Sequence, residues 1–140
     1  MIDNKIYIEK GKGEPIILLH GLFGALSNWK TVVNEFSKTH RVIIPKIPLT
    51  EVDVKKANLE SLTDYVRKFI NKQKLKNFIL IGNSLGGHIA LIYSILYPKK
   101  VKKLILTGSS GLYENSFGGT FPKRGDYNYI EDRINHTFYN

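Results

Sequence analysis

The 140-residue chain has no cysteine, which excludes a disulfide framework, a thiolate metal site and a cysteine nucleophile. The same absence suits a reducing compartment, so a cytoplasmic location is the expectation. No apolar run approaches the roughly 20 residues that cross a bilayer. The opening Met1-Ile2-Asp3-Asn4-Lys5 also lacks the apolar core of a signal peptide, and no membrane partner is expected. Acidic residues are scarce: 12 Asp and Glu face 21 Lys and Arg, a formal net charge of +9. A surplus of that size asks whether a polyanion is the partner. The two densest clusters, Lys68/Lys72/Lys74/Lys76 and Lys99/Lys100/Lys102/Lys103, each fall where a predicted helix ends and a predicted strand begins. Cations there complement the negative helix end and lie on the solvated rim of a parallel sheet. Only Phe69 falls within either cluster, and it belongs to the apolar face of its helix, so the lysines have no aromatic base-stacking surface beside them and no nucleic-acid partner is expected.

What is present is a rhythm of short β-branched runs and longer amphipathic segments, the pattern of an α/β fold with a mostly parallel sheet and helices on both faces. Lys5 to Glu9 reads as a short strand, turned by Gly11-Lys12-Gly13 into the apolar run Pro15 to Leu19, which suits a strand buried on both faces. Ser27 or Asn28 is placed to cap a helix carrying Trp29, Val32, Val33 and Phe36 on one face. Arg41 to Ile44 is the next strand. From Asn58 to Lys74, Leu59, Leu62, Tyr65, Val66, Phe69 and Ile70 recur at helical spacing. Phe78 to Ile81 is a buried strand, Gly82 to Gly87 a tight turn, and Ile89 to Leu96 a helix whose near-uniform apolarity predicts burial. Leu104 to Thr107 is one more strand. Gly108 to Gly125 reads as a linker, after which Tyr127, Ile130, Ile134 and Phe138 share a helical face behind Asp126.

The residues with chemistry to offer lie in Gly82-Asn83-Ser84-Leu85-Gly86. A serine hydroxyl is a weak nucleophile and works only where a base reaches it and preset donors meet the developing oxyanion. A sharp strand-to-helix turn presents it in that way, and crowding in the turn demands small residues two before and two after, which Gly82 and Gly86 supply. A Gly-rich turn also occurs in nucleotide-binding folds. Here, however, the Gly-x-Gly-x-x-Gly spacing and the P-loop Lys-Ser/Thr are both missing, and His20-Gly21 stands upstream where an oxyanion loop belongs.

Residues 16 to 24, Ile-Ile-Leu-Leu-His-Gly-Leu-Phe-Gly, and 79 to 87, Ile-Leu-Ile-Gly-Asn-Ser-Leu-Gly-Gly, together resemble the α/β-hydrolase fold family, in particular small bacterial members that bear a helical cap. The resemblance implies that residues 1–108 are the N-terminal part of the hydrolase core and 109–140 a linker and the start of the cap. It implies a serine hydrolase of small carbonyl substrates, esters or similar acyl compounds, with Ser84 as nucleophile and the Leu22 and Leu85 amides as oxyanion hole. His20 orients that loop, and neither cofactor nor metal is involved. Asn83 before Ser84 is reminiscent of carbon–carbon hydrolases. A serine at 84, where epoxide hydrolases and haloalkane dehalogenases use aspartate, points away from those branches.

In the family's order the acid and the histidine follow the nucleophile. The 56 residues after Ser84 leave no room for two further strand units of roughly 30 residues each. Within the chain, His40 precedes its strand and so sits at the wrong end of the sheet. His88 lies one helical turn past Ser84, and His136 falls in the presumed cap helix. Glu114 is the best placed acid; Asp126 and Asp132 read as helix-start and surface residues, and Ser109 and Ser110 as pocket-lining. The alternative reading is therefore a non-catalytic hydrolase-fold fragment that binds or pairs with another chain through the apolar edge strand Leu104 to Thr107. The expectation is that the 140-residue chain is poorly soluble and inactive toward p-nitrophenyl esters. A purified monomer that turns such esters over, and loses that activity in Ser84→Ala, would overturn it.

Overall fold

A computed structural model of the chain describes residues 6–22, 29–48 and 58–112. In chain order the elements are β1 (Tyr7–Lys10), β2 (Glu14–Leu19), α1 (Lys30–Phe36), β3 (His40–Pro45), α2 (Leu59–Lys72), β4 (Phe78–Asn83), α3 (Leu85–Leu96) and β5 (Val101–Thr107). The five strands form one sheet in the order β1-β3-β2-β4-β5. Strand β1 runs antiparallel to β3, while β2, β3, β4 and β5 are parallel. All four parallel strands therefore end on the same side of the molecule, and Ser84 stands at that side, after the last residue of β4.

The period-2 geometry of a strand divides its side chains between two cores. On β2, Ile17 and Leu19 join Ile43 and Leu80 beneath α2 and α3, whose Leu62, Val66, Phe69, Ile70, Ile89, Ala90 and Tyr93 close one face. Ile16 and Leu18 point the other way and meet Trp29 and Val33 of the α1 region with Val42, Ile44 and Ile81. The uninterrupted apolar run of β2 is the mark of a strand covered on both sides. Helix α2 begins at a reciprocal capping box: the Asn58 side chain accepts from the Ser61 amide at 2.8 Å, and the Ser61 hydroxyl accepts from the Asn58 amide at 3.2 Å.

Several expected boundaries shift. The run Gly82 to Gly87 is not all turn, because α3 already starts at Leu85 and Gly86 and Gly87 lie in its first turn. Phe36 is not part of the buried stripe of α1; the helix ends there, and the ring stays 43% exposed beside His40. Ser27 and Asn28 lie outside the described residues, and the described N-cap of α1 is Trp29, which makes no side-chain cap bond. Helix α3 is less enclosed than its apolar sequence predicts, with Ile95 at 70% and Leu96 at 58% exposure. Strand β5 begins at Val101, three residues earlier than expected, since Val101 and Lys103 pair with Phe78 and Ile79 of β4 across an irregularity at Lys102. Among the described residues β5 pairs on one side only, and Ile105 is 43% exposed. The expected helix around Tyr127 to Phe138 lies outside the described residues.

One buried polar atom breaks the pattern. The Tyr93 hydroxyl is enclosed without a hydrogen-bond partner among the described residues, and burial pushes its pKa up to about 12. An orphaned buried hydroxyl costs free energy that a phenyl ring does not. Tyr93→Phe is expected to raise stability by about 1 kcal/mol, read as a higher urea midpoint, whereas Leu80→Ala in the same core is expected to lose about 2–5 kcal/mol.

Candidate functional site

Strand β4 gives way to helix α3 across a single residue, Ser84, whose φ of 51° and ψ of −119° lie outside the regions open to most side chains. A conformation of this kind costs about 1–3 kcal/mol and persists only where its surroundings hold it. The Ser84 N–H donates to the Thr107 carbonyl at 3.1 Å, and the Ser84 carbonyl accepts from the amides of His88 at 3.1 Å and Ser110 at 3.4 Å. The Asn83 side-chain amide donates to the Thr107 carbonyl at 2.9 Å and to Thr107 Oγ1 at 3.1 Å. Both sides of the turn are thereby tied to the end of β5.

The glycines are required by space. A Cβ on Gly82 would stand 2.4 Å from the Gly86 carbonyl oxygen and 2.6 Å from the Gly87 Cα. On Gly86 it would stand 2.3 Å from the Leu19 carbonyl oxygen and 2.6 Å from that of His20. The first turn of α3 thus rests directly on the backbone at the end of β2. Ser84 occupies the N-cap of α3 but makes no side-chain cap bond, so the helix does not consume its hydroxyl. The positive end of the helix faces the same point, and Leu85, as first helical residue, has an N–H that no intrahelical carbonyl takes.

The residues after β2 come against this turn. A Cβ on Gly21 would be 3.1 Å from the Ser84 Cβ, which places the segment His20-Gly21-Leu22 beside the serine. His20 is buried, and its Nδ1 lies 2.9 Å from the Gly21 carbonyl oxygen, while the Ile47 amide donates to its Nε2 at 3.2 Å. An Nε2 that accepts leaves the proton on Nδ1, so both ring nitrogens are engaged in holding loop to loop. Leu22 is 53% exposed.

Of the other histidines, His40 pairs in register with Glu14 at the opening end of β2 and β3, the side of the sheet away from Ser84. His88 turns toward the loop after β5: its Nδ1 is 3.4 Å from Ser110 Oγ, and a Cβ on Gly111 would meet its ring at 2.5 Å. Ser109 is not a free lining residue, since its hydroxyl donates to the Ser110 carbonyl at 2.9 Å and its side chain fills the space above Gly87. His136, Glu114, Asp126 and Asp132 lie outside the described residues. Two partners escaped the reading of the sequence, Thr107 for Asn83 and the Ile47 amide for His20. They are separated from the groups they hold by 24 and 27 positions, and no local pattern marks them.

The sequence model of the alpha/beta hydrolase fold matches residues 14–137. The chain is 32% identical over 111 residues to a 2-hydroxymuconate semialdehyde hydrolase of a Pseudomonas species, covering 74% of this chain and 39% of that protein. It is 35% identical over 114 residues to a 2-hydroxy-6-oxo-6-(2'-aminophenyl)hexa-2,4-dienoic acid hydrolase of Metapseudomonas resinovorans, with 76% of this chain and 39% of the relative covered. The chain thus spans about two fifths of the length of these curated relatives. Among solved structures, an α/β hydrolase from a lagoon-sediment metagenome superposes with a TM-score of 0.73 at 36% identity, covering 95% of this chain and 55% of that one. A marine microorganism esterase superposes at 0.64 with 34% identity, over 71% of this chain and 40% of its own.

The contacts at Gly86 are with backbone, which has no flexible end to move aside. Gly86→Ala is therefore expected to cost more than about 3 kcal/mol, seen as loss of the cooperative thermal transition. Asn83→Ala, which removes only the tie to Thr107, is expected to cost about 1–2 kcal/mol and leave the transition cooperative.

Proposed function

The chain belongs to the α/β-hydrolase fold family, and from that premise we propose that it carries the nucleophile half of a serine hydrolase acting on small carbonyl compounds. The observation that carries this reading is the backbone of Ser84, held at φ 51° between β4 and α3 with its hydroxyl unspent on the helix. In the proposed reaction Ser84 Oγ adds to the substrate carbonyl, and the amides of Leu85 and Leu22 donate to the oxyanion that forms. His20 is a positioning residue, since its two ring nitrogens fasten the Leu22 loop to its own backbone and to Ile47. None of the described histidines is arranged as the base. His20 is engaged on both sides, His40 stands at the far end of the sheet, and His88 is turned onto Ser110. The proton acceptor and its carboxylate partner accordingly belong to the part of the fold beyond the described residues. Substrates with the carbonyl chemistry of the two named relatives, and simple esters, are the first to test.

A second reading, a binding or chain-pairing role without catalysis, is favoured by the edge of β5, unpaired among the described residues, and by its exposed Ile105. A fluorophosphonate probe separates the two. Without a base the residual rate comes from the oxyanion hole and binding alone, so any labelling of Ser84 in this chain is expected to be slow. Slow stoichiometric labelling of Ser84, absent in Ser84→Ala and slowed about tenfold or more in His20→Ala, is the expected outcome. A folded chain that takes up no label would leave the pairing role as the better account, and Ile105→Lys should then reduce its apparent mass in light scattering.

A further inference from the structure

The fold gathers nearly all of the chain's excess charge at one end. Strands β2 to β5 are parallel, so the segments leading into them lie on one side of the sheet, and each of the three described helices returns the chain to that side. The residues at that rim are 9–14, 35–41, 71–77 and 95–103. They hold eleven lysines and arginines against three carboxylates, a surplus of eight out of the formal +9. The rest of the chain is nearly neutral. Some of these cations are occupied: Arg41 with Glu9 at 2.8 and 3.0 Å, Lys102 with Glu14, and Lys38 with Glu35 at 2.7 Å. Lys12, Lys72, Lys74, Lys76 and Lys99 are exposed and form no ion pair among the described residues.

The same rim carries the exposed apolar side chains at the helix ends, Phe36 at 43%, Ile95 at 70% and Leu96 at 58%. Leu96 also borders a groove against α2 with Leu59, Glu60, Asp64 and Arg67, while Ile95 is the more exposed of the two; apolar groups on a rim with exposed lysines suit a surface with an anionic skin over a hydrocarbon interior. A nucleic acid offers no hydrocarbon phase to receive Ile95 and Leu96, and the rim lacks the stacked aromatics of a single-strand binder. We infer that this rim docks on an anionic lipid bilayer, with lysines on the headgroups and Ile95 and Leu96 entering the interface. Ser84 sits at the other end of β4, whose six residues place it roughly 20 Å away. The site would then face the aqueous phase and a soluble substrate. This contact is peripheral and needs no membrane-spanning helix; none is found among the described residues.

The test is flotation of the 140-residue chain, taken as the monodisperse fraction from size exclusion, with vesicles of phosphatidylcholine alone or with about 30% phosphatidylglycerol. The chain should float with the anionic vesicles and not with the neutral ones, and about 0.5 M salt should release it. Lys12→Glu/Lys76→Glu/Lys99→Glu, which touches no ion pair, should cut the bound fraction about tenfold or more. Ile95→Ser/Leu96→Ser, which leaves the charge unchanged, should cut it severalfold, with circular dichroism showing both variants folded. Equal binding to neutral vesicles, or no flotation with anionic ones, would overturn the proposal. So would release from vesicles by duplex DNA combined with indifference to the Ile95/Leu96 change, which would mark the rim as a general polyanion surface.

Discussion

The arrangement depends on how closely helix α3 approaches the end of β2. Its first turn lies on the carbonyls of Leu19 and His20 with no space for a methyl group at Gly86, and it crosses β4 with no space at Gly82. This approach fixes where the helix axis begins, and with it the direction in which the helix N-terminus points. It also forces the chain to turn within one residue, which is why Ser84 is held in a conformation that serine does not choose. The strain is borne by hydrogen bonds from the neighbouring strand rather than by the turn's own sequence. Thr107 receives the Ser84 amide and the Asn83 side chain together.

A second consequence of that approach is the placing of the loop after β2. With α3 against Leu19 and His20, the chain leaving β2 passes beside the serine, close enough that a Cβ on Gly21 would stand 3.1 Å from the Ser84 Cβ. His20 then locks the loop by bonding its own backbone on one side and the Ile47 amide on the other. A buried imidazole used in this way is a structural fastener. Under the proposed function its task is to position backbone amides, not to transfer a proton.

Parallel topology has a cost and a benefit, and both are visible here. It brings every strand exit to one end, where Ser84 and its neighbouring loops assemble, and every strand entry to the other, where the lysines collect. It also leaves β5 paired on a single side among the described residues, with Ile105 and the end of α3 uncovered. The relatives are more than twice as long as the matched region.

Much of this was readable in the string of residues, because periodicity and composition are local. The alternation of strands and helices, the double burial of Ile16 to Leu19, the amphipathic face of α2 and the elbow around Ser84 all follow from spacing within windows of a dozen residues or fewer. Glycine misled at one point: Gly86 and Gly87 suggested turn, whereas they are helical and small because of what lies across from them. Apolarity misled at another, since Ile95 and Leu96 suggest burial in a chain whose sheet, as described, has nothing packed over them. Pairings across long separations were invisible, among them Asn83 with Thr107, His20 with Ile47, and the meeting of residues 9–14 and 35–41 with the two lysine clusters already expected at the rim. Hydrophobic pattern sets which face of an element is covered, but partners and distances come from how the elements close on each other. That closure decided which hydroxyl is presented, which histidine is already spent, and that scattered lysines form one face.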